Sequence, residues 1–435
     1  MPDLATGILG VFLLLGSILL GAPIMLALTV VGFVGIIILS GFTPAVSILG
    51  TLYFSVVSSF HFSIIPMFLL MGFFAMRAGI GNDLFDACTK WFGRLPGGLA
   101  IASTGAAAAF GAASGSSVGT ATLFTKLALP EMIQRGYDRG FAAASIAIAG
   151  TLAVLIPPSA LVVVYGILTN SSIGKLLIAG ILPGVVFALI LGATILLVAI
   201  MKPEKAPADE RRYSWRERFW ALRMVAPLVI VIVVIMGGLY AGVFTPTEAG
   251  GIGALVTFVM AVVRRRGLHK IELGKTLLET VSLTAMIFAI IIGGLLFARF
   301  LALSGVSGFM RDILVNGGLD VWVVVMLVTV IYLILGMLMD APSLLAISLP
   351  ITHPVMMGLG FDPLWFGVYV IILAEIGAVT PPVGINCFVV KGAAGNLVTL
   401  EEIFGSLLPF IVASFVMLAL MLLFPQMTLY LPGKM

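Results

Sequence analysis

Long stretches of uninterrupted apolar residues alternate along this chain with short clusters of Gly, Ser, Pro and charged residues. The runs 8–20, 22–39, 225–240, 277–298 and 407–424 are apolar on all sides rather than along one stripe. Several approach the roughly 20 residues that a helix needs to cross the hydrocarbon core of a bilayer. Barrel strands would alternate polarity at every second residue, and these runs do not. The pattern therefore predicts an all-α polytopic membrane protein. Its helix pairs turn at Gly21-Ala-Pro23 and at Thr245-Pro-Thr-Glu248.

Two regions break this pattern in the same way. Segments 98–112 and 118–133 are each too short to span alone, and Gly and Ser lie between them. Segments 321–339 and 342–356 flank a second tip, Asp340-Ala-Pro-Ser343. A non-helical tip at membrane depth survives only where it is buried in protein or lines a wet cavity, so each pair predicts a re-entrant hairpin. Each hairpin is followed by a helix broken at a Pro pair, Ile156-Pro-Pro-Ser159 and Thr380-Pro-Pro-Val383. Pro130 and Pro354, Gly136 and Gly360, Asp138 and Asp362, and Pro157 and Pro381 are all 224 residues apart. Residues 1–201 thus read as a first repeat, with its hairpin at 98–133 and broken helix at 141–169. Residues 202–222 read as a polar linker, and 223–435 as a second repeat with hairpin 321–356 and broken helix 364–392. An odd number of crossings per half makes the second repeat inverted relative to the first. Matched, interrupted apolar segments in two halves are the strongest sequence pointer to a secondary transporter's binding site.

Composition narrows the class. The chain is 61% hydrophobic and 10% charged, with a mean hydropathy of +1.23, which excludes a soluble globular protein. The net charge of +4 is a topology signal rather than a mark of nucleic-acid binding. With the N-terminus outside, every Lys and Arg except Lys175, Arg299, Arg311 and Lys434 falls in loops 77–94, 126–139, 202–223 and 264–275 or near residue 391, all inside. The start Met-Pro-Asp-Leu lacks a basic n-region, so no cleaved signal peptide is expected. Cys88 and Cys387 suggest packing rather than a disulfide or metal pair. His61, His269 and His353 show no metal spacing, and no Walker A sequence is present.

The chemistry sits at the two breaks. Freed carbonyls at a helix C-terminus, with nearby hydroxyls, suit Na⁺, and free N–H groups at a helix N-terminus suit a carboxylate. The expected Na⁺ ligands are Ser114, Ser117, Thr151 and Pro157 at the first break, and Gly336, Asp340, Thr380 and Pro381 at the second. The expected substrate contacts are Ser114, Ser116, Ser117, Arg299 and Ser343. Thr120, Ser159 and Asn386 add further oxygens. Acidic side chains within a membrane are costly and each needs a role. Asp340 is the preferred acid beside a cation. Ligand, proton carrier and structural partner all remain open for Glu375, whereas Glu248, at a helix N-terminus, suits a capping role. For Arg299 three roles stay open: pairing a substrate carboxylate, snorkelling to the outer interface, or pairing an acidic side chain.

Taken in order, Gly115-Ser-Ser-Val118, Gly136-Tyr-Asp138, Gly150-Thr151 through Ser159, Tyr165-Gly166, Phe244-Thr-Pro-Thr-Glu-Ala249 and Glu375-Ile-Gly377 through Asn386 resemble the large membrane subunit of tripartite ATP-independent periplasmic (TRAP) transporters. Ala153 stands where the family pattern has Gly, and Gly119 where it has Ala. The resemblance spans nearly the whole chain. It implies a Na⁺-coupled elevator-type importer in the bacterial inner membrane, with a small four-helix membrane (Q) subunit and a soluble periplasmic substrate-binding protein as partners. It also implies an organic acid as substrate, such as a C4-dicarboxylate or sialic acid. The competing class is a divalent-anion/Na⁺ symporter without a binding protein, against which the TPTEA and GYD stretches count. A membrane-embedded enzyme would need a His/Asp/Glu constellation that the sequence lacks.

Overall fold

A computed structural model describes every residue except Met1, Asp209, Glu210, Arg212 and 268–271. His269, part of the 202–222 linker and part of the 264–275 loop therefore lie outside the described residues. Among the described residues the chain is helical throughout, with no strand. Six helices are long and apolar enough to cross a membrane, or eight if each of two bent pairs counts as one span.

The segments set apart by their interruptions form the centre. Helices Gly98–Ser114 and Ser117–Gln134 make the first hairpin, and Val321–Leu338 and Ala341–Gly358 the second. Helix Arg139–Leu155 bends by 49° into Ala160–Thr169, and Pro363–Gly377 is followed after a seven-residue gap by Ile385–Ala394. Each break contains a cis peptide, Pro157–Pro158 and Pro381–Pro382. Proline has no N–H to give and clashes with the preceding turn, so neither helix continues through its pair. Each first segment packs on its own hairpin. The second segments cross over: Ala160–Thr169 packs on Ala341–Gly358, and Ile385–Ala394 packs on Ser117–Gln134.

Around this centre stand paired outer helices. Ile24–Ser40 packs along Leu273–Leu303, and Ile64–Arg77 along Pro246–Arg265. Close approach to the centre goes through glycines. A Cβ on Gly72 would lie 2.8 Å from Ser114 Cα, and one on Gly294 would lie 2.8 Å from Ala346 Cβ. Small residues are what let membrane helices approach this closely.

Two stretches with loop-like charge are helical instead. Within 77–94, Ile80–Phe92 forms an amphipathic helix whose apolar side, including Ile80, Leu84 and Phe85, is buried. Cys88 lies on it, half-buried and free, rather than in a loop. The end of the polar linker also belongs to a helix, Trp215–Tyr240, because Ser214 and Glu217 form a capping box there. Outside the central segments, ion pairs Arg264–Asp83 and Arg77–Glu272 (2.7 Å) tie neighbouring helices together.

Candidate functional site

The hairpin tips and helix breaks meet at one cavity of about 430 Å³. Four helices begin at its wall: Ser117–Gln134, Ala160–Thr169, Ala341–Gly358 and Ile385–Ala394, whose first residues all line it. Each start follows from local sequence. Ser116, Ser159 and Asp340 have extended backbone, and their side chains accept from Gly119 N, Val162 N and Ser343 N. The fourth start, after Gly384 in the left-handed region, has no side-chain cap. Gly115 at the first tip also has positive φ. A Cβ there would lie 3.1 Å from Pro158 O and 3.3 Å from Ala160 N, so the tip rests directly on the break of the first broken helix. Glycine is the residue that meets both demands.

Of the residues expected to bind ions or substrate, Ser116, Ser117 and Asp340 line the cavity. Ser114 lies just behind the first tip, where its hydroxyl shares a 2.9 Å bond with Thr120. Thr151 is fully buried in the last turn before the first break and donates to Ile148 O at 2.7 Å. Thr380, directly before the second Pro pair, donates to Ile376 O at 2.6 Å. A hydroxyl that gives its proton to its own helix keeps its lone pairs free for a cation. Pro157 is buried, whereas Pro381 is exposed. Gly336 packs against the helix before the second break, where a Cβ would meet Ala374 O and Gly377 Cα at 3.1 Å. Ser343 donates to Asp340 Oδ1 at 2.8 Å, inside the cap of the second tip. The hydroxyls, the Asp340 carboxylate and the interrupted backbone are oxygen donors of the kind that a hard cation takes.

Two acidic residues separate clearly. Glu248 closes a capping box with Thr245, accepting from Thr245 N at 2.8 Å, and stands outside the cavity. Glu375 is 2% exposed and lines the cavity. Its Oε1 accepts from Ser117 Oγ at 3.3 Å, joining the first tip to the second broken helix. Its Oε2 has no partner among the described residues. Asn386 is 1% exposed and its Nδ2 is likewise without a partner. The backbone N of Asn386 donates to Ala378 O at 2.9 Å, which holds Asn386 beside the last turn of the Glu375 helix.

Arg299 is not brought to this cavity. It is exposed and lines a separate, shallow pocket with Ser47, Thr51 and Leu295. His353 sits between the rings of Tyr165 and Phe366, also outside the cavity lining. The sequence reading missed the rest of the wall. Leu69 and Phe73 come from Ile64–Arg77, and Leu283, Met286 and Ile287 from Leu273–Leu303. Apolar residues in apolar helices carry no mark that would have singled them out.

An all-helical bundle of membrane length, with interrupted helices enclosing a polar-tipped cavity, is the architecture of a secondary transporter. The family model described as "Tripartite ATP-independent periplasmic transporter, DctM component" matches residues 9–427. The C4-dicarboxylate TRAP transporter large permease protein DctM of Pseudomonas aeruginosa is 36% identical over 378 residues, covering 86% of this chain and 87% of its own. The isethionate TRAP transporter permease protein DctMQ of Oleidesulfovibrio alaskensis is 31% identical over 422 residues, 96% of this chain and 64% of its own. The crystal structure of the YdaH transporter of Alcanivorax borkumensis shares the fold, with a TM-score of 0.53, 14% identity and 88% of each chain covered. The chain belongs to the DctM component family of tripartite ATP-independent periplasmic transporters. It is a multi-pass transport subunit of the bacterial inner membrane, not an enzyme.

Proposed function

We propose that this chain is the substrate-carrying permease of a Na⁺-driven importer of small organic acids. In this reading a soluble periplasmic protein delivers the substrate, and a small four-helix membrane subunit stands beside the permease. The observation that carries the proposal is the convergence of four helix N-termini on one cavity. Each offers N–H groups and the positive end of a helix dipole, and their sum attracts a carboxylate within the membrane. The unpartnered amide of Asn386 adds a donor at the same wall. Ser114, Ser117, Thr151 and Pro157 would hold one Na⁺, and Gly336, Asp340, Thr380 and Pro381 another. Bound Na⁺ would offset the substrate's charge during crossing and draw on the ion gradient.

The two hairpins and two broken helices, one set from each inverted repeat, would move together as the transport unit. The reciprocal packing of each broken helix on the other hairpin supports one body rather than two. Helices Ile64–Arg77 and Leu273–Leu303, which supply the apolar wall, would belong to the stationary frame. The names of two relatives support a separate membrane partner. One is named for C4-dicarboxylate as a large permease protein, and another, longer than this chain, is named DctMQ for isethionate.

Proteoliposomes containing both membrane subunits, supplied with the binding protein and an organic acid, test the reading. Uptake is expected to require an inward Na⁺ gradient and no ATP. Uptake that continues unchanged with choline in place of Na⁺ refutes the coupling. Uptake that does not depend on the binding protein favours the symporter class instead.

A further inference from the structure

We infer that the substrate is a monocarboxylate with an apolar body, rather than a dicarboxylate. The inference rests on the importer reading above and narrows its substrate. Among the residues lining the cavity there is no Lys, Arg or His. Positive potential for an anion therefore comes only from the helix N-termini, reinforced by the Asn386 Nδ2 donor, which is buried and without a partner among the described residues. The Na⁺ ions proposed at the breaks would sit at this same end, because the helices start at those breaks.

The rest of the cavity offers a second charge nothing. Leu69, Phe73, Leu283, Met286 and Ile287 form its wall from the outer helices, and none carries a polar side-chain atom that could pair an anion. The ionisable side chains that do line the cavity are Asp340 and Glu375, and neither can supply a positive charge. Asp340 already accepts from Ser343 through both carboxylate oxygens. A charge moved from water to an apolar wall without a partner is strongly disfavoured, whereas a hydrocarbon body gains from leaving water. A ligand of one carboxylate, with or without an adjacent carbonyl or hydroxyl, and a branched or aromatic body satisfies both ends of the cavity.

The test uses the complex of both membrane subunits in lipid nanodiscs with Na⁺, which removes selection by the soluble binding protein. Dissociation constants are measured for 4-methyl-2-oxopentanoate, 3-phenylpropanoate and butanedioate. At least one monocarboxylate is expected to bind about tenfold or more tightly than butanedioate. Butanedioate binding as tightly as or more tightly than both monocarboxylates overturns this inference and leaves the importer reading intact. Binding of none of them, in Na⁺, overturns the organic-acid reading and this inference with it. Met286→Arg places a cation on the apolar wall, and it is expected to tighten butanedioate about tenfold while weakening the monocarboxylate. A folded Met286→Arg complex with unaltered selectivity shows that the wall does not face substrate and overturns the inference. The wild-type comparison decides the matter if that variant does not assemble.

Discussion

The two hairpins share a backbone plan and differ in what surrounds them. In the first, helix Gly98–Ser114 has 14 of its 17 residues buried and is built largely of Gly, Ala, Ser and Thr. Its counterpart Val321–Leu338 has 6 of 18 buried and turns Trp322, Val323, Met326, Val330 and Ile334 outward. The breaks differ in the same sense: Pro157 and Pro158 are buried, while Pro381 and Pro382 are exposed. The first helix of one hairpin is thus enclosed by protein and that of the other sits at the rim. Lipid tails are as apolar as leucine, so bulky side chains lose nothing by facing them, whereas a helix surrounded by helices needs small residues to let backbones approach. Two hairpins of one backbone plan can therefore differ widely in the composition of their first helices.

The contact between hairpin and broken helix is the sharpest test of this difference. At the first copy a Cβ on Gly111 would collide with the Ala153 backbone and lie 2.8 Å from Ala153 Cβ. At the second, the facing residues are Gly336 and Gly377, and a Cβ on Gly336 would be no closer than 3.1 Å to its neighbours. Gly111→Ala is expected to cost about 3 kcal/mol, the upper part of the range for overpacking, and Gly336→Ala about 1 kcal/mol, the lower part. Thermal unfolding of the purified variants measures both. Equal losses would mean that the rim copy is packed as tightly as the sealed one.

The tips differ by one charge, Asp340 standing where the first tip has Ser116. Both residues cap the helix that follows, so Asp340→Ala and Ser116→Ala should each cost about 1 kcal/mol. Asp340→Asn keeps a capping oxygen and removes only the charge. It is expected to leave stability nearly unchanged and to shift uptake to higher Na⁺ concentration. A Na⁺ curve that stays in place makes Asp340 a structural cap. Ser116→Ala is expected to move that curve less, because the backbone carbonyls of its tip remain.

Smaller effects come from the rim. Thr329 and Tyr369 share a 2.7 Å hydroxyl pair that joins the second hairpin to the second broken helix. Thr329→Val should cost about 0.6 kcal/mol, the average for such bonds in membranes, read from the unfolding midpoint. The smallest effect is expected from Arg299→Gln. Its side chain lies in a pocket apart from the central cavity, so both the substrate and the Na⁺ dependence of uptake should stay within error. A raised substrate requirement would bring Arg299 back to the substrate path in another state of the transporter.

Much of this molecule was legible along the chain because its signals act within a turn or two. Uninterrupted apolar runs become helices, proline pairs end them, and Ser or Asp before a start caps the next helix whatever the rest of the chain does. The same locality explains the two misread stretches. Charged residues in 77–94 and 215–222 mark contact with water, but an amphipathic helix and a capped helix start satisfy that mark as well as a loop does.

What the sequence by itself determined, then, is the all-helical membrane class, the places where the central helices stop and start, and the polar groups gathered there. Only the tertiary structure decided which of those groups share a cavity. It put Glu375 against Ser117, 258 residues away, set Arg299 in a different pocket, and chose Phe73, Met286 and Ile287 as the opposite wall. The reason is physical. Caps and breaks are fixed by covalently near neighbours, but in a chain this apolar a leucine facing lipid, protein or substrate looks the same in sequence, and only packing tells them apart.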